Sequence, residues 1–246
     1  MKALVLAAGK GRRLRNSIGE ISKCMIDLDG RPLLSYALDN AVKAKITEAV
    51  IVVGYKAETI MEYFGDEYQG MPLTYAFQKE QNGIIDAMES GIEALNGEDF
   101  LLLAGDELLF NPRHQEMIAE HYAKKSFITC GMVDKDDIET IKKTYTIQYN
   151  DDKIITKLVE KPQTVFNHLK GSCSCVFSGH IFDYKKDIGG GVSANTVTGQ
   201  KEFGGLLHYW MRQTVPVRYF VVADRFVNVN FAEDLELALN VMKYKK

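Results

Sequence analysis

The sequence predicts an α/β protein built on a mostly parallel sheet with helices on both faces. Three observations carry that reading. Short, almost wholly apolar runs at residues 2–7, 49–53 and 100–104 are each followed closely by a glycine, the pattern of strands buried on both sides. Between them lie segments whose apolar residues recur at helical spacing, such as Leu33, Leu34, Ala37, Leu38 and Ala41. Strand and helix patterns alternate through the first half, and parallel strands need such crossovers to be joined.

The elements follow in order. Residues 2–7 form the first strand. Arg31-Pro32 opens a helix to about residue 45, with the proline in the first turn. Residues 49–53 are a second strand, 56–64 a helix, 73–77 a third strand and 84–95 a further helix. Residues 100–104 are a fourth strand, stopped by Gly105-Asp106. The second half is richer in β pattern: residues 127–133, 144–149, 154–159 and 174–182 read as extended. Asn150-Asp151-Asp152 is a hairpin turn between two of these strands. Helices at 202–213 and 232–244 flank a strand at 217–222, and Gly189-Gly190-Gly191 marks a flexible loop. No repeat, low-complexity tract or linker interrupts the chain, so one domain over residues 1–246 is expected, with a small β-rich insertion in its C-terminal half.

Composition narrows the function classes. The net charge of −3 gives no overall basic field to hold nucleic acid or an anionic membrane. No stretch reaches the roughly 20 apolar residues of a membrane helix. The apolar run at residues 3–8 is too short for a secretion leader and runs straight into glycines and arginines, so a cytoplasmic location is expected. Cys24, Cys130, Cys173 and Cys175 contain no CxxC pair and read as buried thiols. The five histidines are scattered, with no pair at ligand spacing.

The most informative segment is LVLAAGKGRRLR at residues 4–15. In open α/β sheets, ligands bind beyond the carboxyl ends of the strands. Ala7, Ala8, Gly9 and Gly11 are small enough for backbone N–H groups to approach phosphate oxygens closely. Arg12, Arg13 and Arg15 supply positive forks suited to bidentate phosphate contact, and Lys23 follows within reach. A dinucleotide fingerprint would need glycine or alanine where Leu14 stands, and no GxxxxGK[ST] loop occurs. The residues therefore point to a polyphosphate site of another kind.

LAAGKGRRLR, followed by SKCMIDLDGRPLL at residues 22–34, resembles the sugar-1-phosphate nucleotidyltransferases, or sugar-nucleotide pyrophosphorylases, whose signature is LAAGxGTRL, then PK and an xPLI helix start. The resemblance continues in order. Gln78 and Gly83 match a QxxxxG base-binding segment, and Leu103-Ala104-Gly105-Asp106 matches a strand-end GD. Glu160-Lys161-Pro162 matches an EKP motif, and FVNVNFAEDL at 226–235 matches WxDxGTPEDL. The family is closest in the thymidylyl- and uridylyltransferases, and it implies a Rossmann-like nucleotide-diphospho-sugar transferase fold. It divides the chain into a nucleotide-binding half, 1–125, and an acceptor-binding half, 126–246.

The resemblance implies roles residue by residue. Arg13, Lys23 and Asp106 would be catalytic: Arg13 at the β- and γ-phosphates, Lys23 at the α-phosphate, Asp106 on Mg²⁺. Leu6, Ala7, Ala8, Gly9, Lys10, Gly11, Arg12, Gln78, Gly83 and Asp106 would bind the nucleotide, with the donor and acceptor of the Gln78 amide matching uracil or thymine. Glu160, Lys161, Asn167, Gly171 and Glu202 would bind the acceptor; Glu107 is expected to point away from the site. The metal pair would be Asp106 and Asn228, with Asn230 able to share the work.

Three positions depart from the family pattern: Ser22 stands for its proline, Arg12 for its threonine and Asn228 for its second metal aspartate. Asn-x-Asn also resembles molybdenum-cofactor guanylyltransferases, and residues 189–198 match nothing readable. The expected activity is Mg²⁺-dependent transfer from dTTP or UTP to a sugar 1-phosphate. The alternatives are a cytidylyl- or guanylyltransferase acting on a phosphorylated alcohol or phosphonate, and a non-catalytic sugar-nucleotide-binding subunit. Expected partners are the NTP and a small phosphorylated acceptor, with no nucleic acid and no membrane; homo-oligomerisation stays open.

Overall fold

A computed structural model describes residues 1–11, 13–14, 19–80, 82–134, 138–182, 192, 201–213 and 215–243. Arg12, Arg15 and the Gly189-Gly190-Gly191 loop lie outside the described residues, as does most of the unmatched segment 189–198.

The first half runs β1 (Lys2–Leu6), β2 (Asp27–Leu28), β3 (Arg31–Pro32), α1 (Leu34–Lys43), β4 (Ala49–Val53), α2 (Ala57–Phe64), β5 (Glu67–Tyr68), β6 (Met71–Phe77), α3 (Ile84–Leu95), β7 (Phe100–Ala104), β8 (Glu107–Phe110) and α4 (His114–Ala123). The second half continues with β9 (Ile128–Asp134), α5 (Ile138–Ile141), β10 (Tyr145–Tyr149), β11 (Ile155–Glu160), β12 (Leu169–Phe177), α6 (Phe203–Arg212), β13 (Val217–Ala223), β14 (Arg225–Asn228) and α7 (Ala232–Lys243).

Eight strands form one sheet in the order β13-β9-β12-β7-β1-β4-β6-β5. β7, β1, β4 and β6 are mutually parallel, β12 runs antiparallel between β7 and β9, and β13 is parallel to β9. The near-continuous apolar strands are explained by burial on both faces. Leu4, Val50, Val52 and Leu102 pack with Ile85 and Met88 of α3 and with Leu206 and Trp210 of α6. Ala3, Val5, Ile51 and Leu103 face the other way, onto Leu38 and Ala41 of α1 and Ile60 of α2. Each such fully buried aliphatic side chain contributes about 1.5–3 kcal/mol, an upper bound because the unfolded chain is already partly compact. A third cluster, with Leu14, Leu33, Leu108 and Val227, lies beneath α7. No described helix is long and apolar enough to cross a membrane.

Two sequence expectations are corrected, and one segment gains elements that the sequence pattern does not show. Arg31-Pro32 does not open the helix but pairs with Asp27–Leu28 in a small hairpin. Its turn is Asp29-Gly30, both at positive φ, and Asp-Gly is a strong signal for a two-residue hairpin; the helix begins only at Leu34. The strand expected at 174–182 lies at Leu169–Phe177, every residue of it buried. Its polar start, Lys170 to Ser174, hides it from an apolar pattern because part of that stretch lines a cleft rather than the core. The residues after Asp106, whose sequence shows no clear period, form β8 and α4. The inward face of α4 carries His114 and His121, whose imidazoles bond to Ser174 Oγ at 3.2 Å and Thr129 Oγ1 at 2.9 Å, which blurs its apolar period. The expected hairpin is present: β10 and β11 pair antiparallel, separately from the main sheet.

Candidate active site

The carboxyl ends of β1, β4, β6 and β7 lie together because these strands are parallel. The chain leaves β1 for β4 on one flank and returns with β7 on the other, so the strand order reverses beside β1, where loops splay apart and ligands bind. A cleft of about 500 Å³ opens there. One wall is the end of β1 and the loop after it, with Leu6, Ala8, Gly9, Lys10 and Gly11. A second is Gln78 at the end of β6 with Gly83, Ile84 and Ala87 at the start of α3, and Ala104 and Asp106 close it. Gly83 holds φ +114, a conformation that suits glycine, and caps α3. Ala7 lies outside the lining: its N–H bonds to Val52 O and its methyl is in the core.

Asp106 sits where this cleft meets its neighbour. β8 and β14 pair antiparallel with Asn228 opposite Glu107, and Val229 N–H donates to Asp106 O at 3.0 Å. That pairing carries Asn228 and Asn230 to the GD strand end. The ammonium of Lys23, a residue only 9% exposed, forms an ion pair with the Asp106 carboxylate and donates to Asn230 Oδ1 at 3.1 Å. Asn230 Nδ2 in turn donates to Asn228 Oδ1 at 2.9 Å. A buried ammonium requires such partners. Ser22, at the family's proline position, is fully buried, and its hydroxyl has no hydrogen-bond partner among the described residues.

The oxygens gathered here suit a hard cation. The Asp106 carboxylate and the Asn228 amide line one pocket, and the carboxylate already faces a positive charge from Lys23. Among the described residues, no group of three or more His, Cys, Asp or Glu is placed to hold a metal. Mg²⁺ characteristically takes one or two carboxylates and completes its shell with water and substrate phosphate oxygens. The donor set fits that mode.

The second cleft, of about 570 Å³, shares Ile84, Ala104 and Asp106 with the first. Glu160, Lys161, Gly171, Glu202 and Asn228 all line it, as does Arg13. Glu160 lies at the end of β11 and accepts from Gly204 N–H at 3.0 Å. Burial, and secondly the Glu202 carboxylate, push its carboxyl up to about 7. Lys161 adopts φ +44, a strained conformation for a lysine, held by its N–H to Thr144 O at 2.6 Å. Its ammonium bonds to Glu202 Oε1 at 2.5 Å. Gly171 is required by close approach: a Cβ there would sit 2.2 Å from the Tyr145 ring, whose hydroxyl donates to Ser172 O.

Some expectations about the site change. Glu107 does not point away. It is buried in the second cleft, accepts from Cys173 N–H through both oxygens, and is pushed up to about 8 by burial and by Asp106. The β8–β14 pairing, invisible in the sequence reading, turns it inward. Asn167 is not among the cleft residues: its amide donates to Ile147 O and accepts from Leu169 N–H, bracing the approach to β12. Arg13 lines the second cleft and not the first, with its guanidinium 5.6 Å from the Phe231 ring centroid. The Gln78 amide does not offer both donor and acceptor, because Nε2 donates to Gly83 O at 3.1 Å and to Asp86 Oδ2 at 2.7 Å. Sequence reasoning missed Tyr145, Lys143 and Phe203 in the second cleft. Beyond that cleft, Lys142, Lys143, Lys161, Lys170 and Arg225 line an adjoining basic hollow of about 480 Å³ that also includes Arg13; of its added cations, Lys142-Lys143 stand together in the sequence. All four cysteines are free and buried, as expected.

Comparison with known proteins gives the family and the fold. Residues 2–196 match the family model described as nucleotidyl transferase. A UTP–glucose-1-phosphate uridylyltransferase of Haloferax volcanii is 36% identical over 185 residues, 74% of this chain and 74% of that protein. A D-glycero-alpha-D-manno-heptose 1-phosphate guanylyltransferase of Aneurinibacillus thermoaerophilus is 30% identical over 132 residues, 54% of this chain and 57% of that one. Among solved structures, UDP-glucose pyrophosphorylase complexed with UDP-glucose superposes with a TM-score of 0.83 at 19% identity, covering 100% of this chain and 99% of that one, which shows the shared fold. With its α/β sheet, its glycine loop after the first strand and a family match over most of its length, the chain belongs to the nucleotidyl transferase family and is a nucleotidyltransferase.

Proposed function

We propose that this enzyme transfers a uridylyl or thymidylyl group from UTP or dTTP to a sugar 1-phosphate, with Mg²⁺, and releases pyrophosphate. The observation that carries the proposal is that two clefts of similar volume share the wall formed by Ile84, Ala104 and Asp106. A nucleotide in the first cleft and a phosphorylated acceptor in the second would meet at that wall. The uridylyltransferase and guanylyltransferase relatives, both named for a phosphorylated sugar, support a sugar 1-phosphate as the acceptor.

An acceptor phosphate oxygen attacks the α-phosphorus, the bond to the bridging oxygen of the β-phosphate breaks, and pyrophosphate carries away that electron pair. The protein aligns the two reactants and neutralises charge, and it needs no covalent intermediate. The loop from Ala8 to Gly11 receives the phosphates with backbone N–H groups. Lys23 faces the α-phosphate, and Arg13 takes the β- and γ-phosphates at the edge of the basic hollow. Lys161 holds the acceptor phosphate, and Glu160 accepts from sugar hydroxyls. Asp106 and Asn228 would hold Mg²⁺, which supplies charge compensation for the phosphates.

The test is a panel of UTP, dTTP, GTP, CTP and ATP against several sugar 1-phosphates, read as pyrophosphate release. Release with UTP or dTTP is expected; activity confined to ATP, GTP or CTP, or to acceptors that are not sugar phosphates, would refute the assignment.

A further inference from the structure

The orientation of the Gln78 amide is fixed by Gly83 in the cleft wall and by Asp86 behind it, and this bears on which bases the cleft takes. Gln78 is 5% exposed at the end of β6, with its own N–H on Val53 O at 2.9 Å, so its backbone cannot shift freely. Among the described residues, the amide nitrogen donates to Asp86 Oδ2 at 2.7 Å and to Gly83 O at 3.1 Å. A carboxylate and a backbone carbonyl can only accept. The NH₂ group must therefore face them whichever way an amide might otherwise be turned. The group that Gln78 brings to the cleft is then its carbonyl oxygen. An amide oxygen has two lone pairs, so it can accept from a base even where another donor uses one of them.

Nucleobases differ in what they show to such an oxygen. Uracil, thymine and guanine carry a ring N–H beside a carbonyl, whereas cytosine and adenine carry a ring nitrogen lone pair at the corresponding place. An acceptor facing the first group makes a hydrogen bond. The same acceptor facing the second group leaves two lone pairs opposed and one polar group unmet. We propose that Asp86, on the first turn of α3, is a specificity-determining positioning residue: by holding the Gln78 amide with its oxygen toward the base, it admits N–H-bearing bases (uracil, thymine, guanine) and disfavours cytosine and adenine. The sequence reading did not single out Asp86. The inference rests on the donor cleft proposed above and revises its base contact from a donor-and-acceptor pair to an acceptor alone. The uridylyl- and guanylyltransferase relatives, whose bases both carry such an N–H, fit one amide orientation.

The experiment measures equilibrium binding of UTP, dTTP, GTP, CTP and ATP with Mg²⁺ and no acceptor, for the unaltered protein and for Asp86→Asn and Asp86→Ala. An asparagine at 86 can present either its oxygen or its NH₂ to Gln78, and an alanine presents neither, so both weaken the constraint and leave it to the longer contact with Gly83 O. The unaltered protein should bind UTP at least about 10-fold more tightly than CTP, and both variants should narrow that ratio at least about 3-fold while melting within a few degrees of the parent. A purely structural role for Asp86 would weaken all nucleotides together and leave the ratio intact. The inference is overturned if both variants keep the parental UTP:CTP ratio, or if the unaltered protein prefers CTP or ATP. Because no acceptor is present, the two readings separate. A selective, Asp86-dependent cleft with no product from any sugar 1-phosphate sinks the acceptor assignment alone. A UDP-sugar product with an unchanged ratio sinks the inference alone.

Discussion

The two clefts that meet at Asp106 are built from different materials. The first is mostly backbone and small side chains: Leu6, Ala8, Gly9, Gly11, Gly83, Ala87 and Ala104, set on parallel strands and the start of one helix. The second is a set of charged and polar pairs on the antiparallel part of the sheet and its hairpin. Glu160 meets Gly204 N–H, Lys161 meets Glu202, Glu107 meets Cys173 N–H, and Tyr145 meets Ser172 O. A backbone cradle suits phosphates, which every nucleoside triphosphate shares, and it cannot be retuned without moving the chain. Side-chain pairs can be exchanged one at a time on an unchanged backbone. On the proposed reading, substitutions at the wall the clefts share should lower turnover for every substrate, whereas substitutions in the second cleft should alter which acceptor is used.

The shared wall offers the strongest way to break this contrast. Asp106→Asn removes the charge that faces Lys23 and would face the metal, and turnover should fall about 10²–10³-fold for any donor and acceptor. The asparagine keeps an oxygen for the Lys23 ammonium, so the fold should survive with a modestly lowered melting temperature. An unchanged turnover would remove Asp106 from the chemistry and dissolve the common wall. Next in size is Lys161→Ala, which deletes a charge-assisted contact worth about 1.5–3 kcal/mol. It should raise the acceptor KM about 10–100-fold and leave the donor KM within about 2-fold. Equal losses on both substrates would show that the clefts are not separate in function. A smaller effect is expected of Asn228→Asp. Replacing an amide oxygen by a carboxylate should lower the Mg²⁺ concentration for half-maximal activity several-fold. A titration indistinguishable from the parent's would place that side chain away from the ion.

The same contrast explains how much could be read before the structure was known. The parallel strands announced themselves because burial on both faces leaves continuous apolar runs, and the glycine loop did so because only small residues let a backbone approach phosphate. Gly171 and Glu202 were located by family resemblance, and the physical reason for Gly171, the Tyr145 ring against its Cα, lies 26 residues away along the chain. Glu107 was misjudged because its inward aim depends on the pairing of β8 with β14, a contact across more than a hundred residues that no local period encodes. The strand β12 was shifted in register because its polar first half serves the second cleft. Local patterns report an element's burial; they are silent about which distant side chain meets it.

Glu160 provides the subtlest test, since it asks whether the second cleft is tuned by its own electrostatics. Burial raises its carboxyl pKa most, the nearby Glu202 carboxylate adds to this, and Lys161 and Gly204 N–H oppose it, leaving the group near 7. Below that pH the carboxyl is protonated, and one of its oxygens acts as a donor. Above it, the ionised group can accept from Gly204 N–H and from a sugar hydroxyl together. The acceptor KM should therefore fall a few-fold between about pH 6 and pH 8, while the donor KM follows a different course. Folding stability should also fall as pH rises. The folded-state pKa lies above the ordinary value of 4.5, so the folded protein holds more proton than the unfolded chain between 4.5 and 7, and this group's contribution declines as pH rises through that window. Glu160→Gln cannot titrate and should flatten both trends. Parallel KM profiles in parent and variant would mean that Glu160 is a structural partner of Gly204 alone, and the tuning of the second cleft would have to come from Lys161 and Glu202.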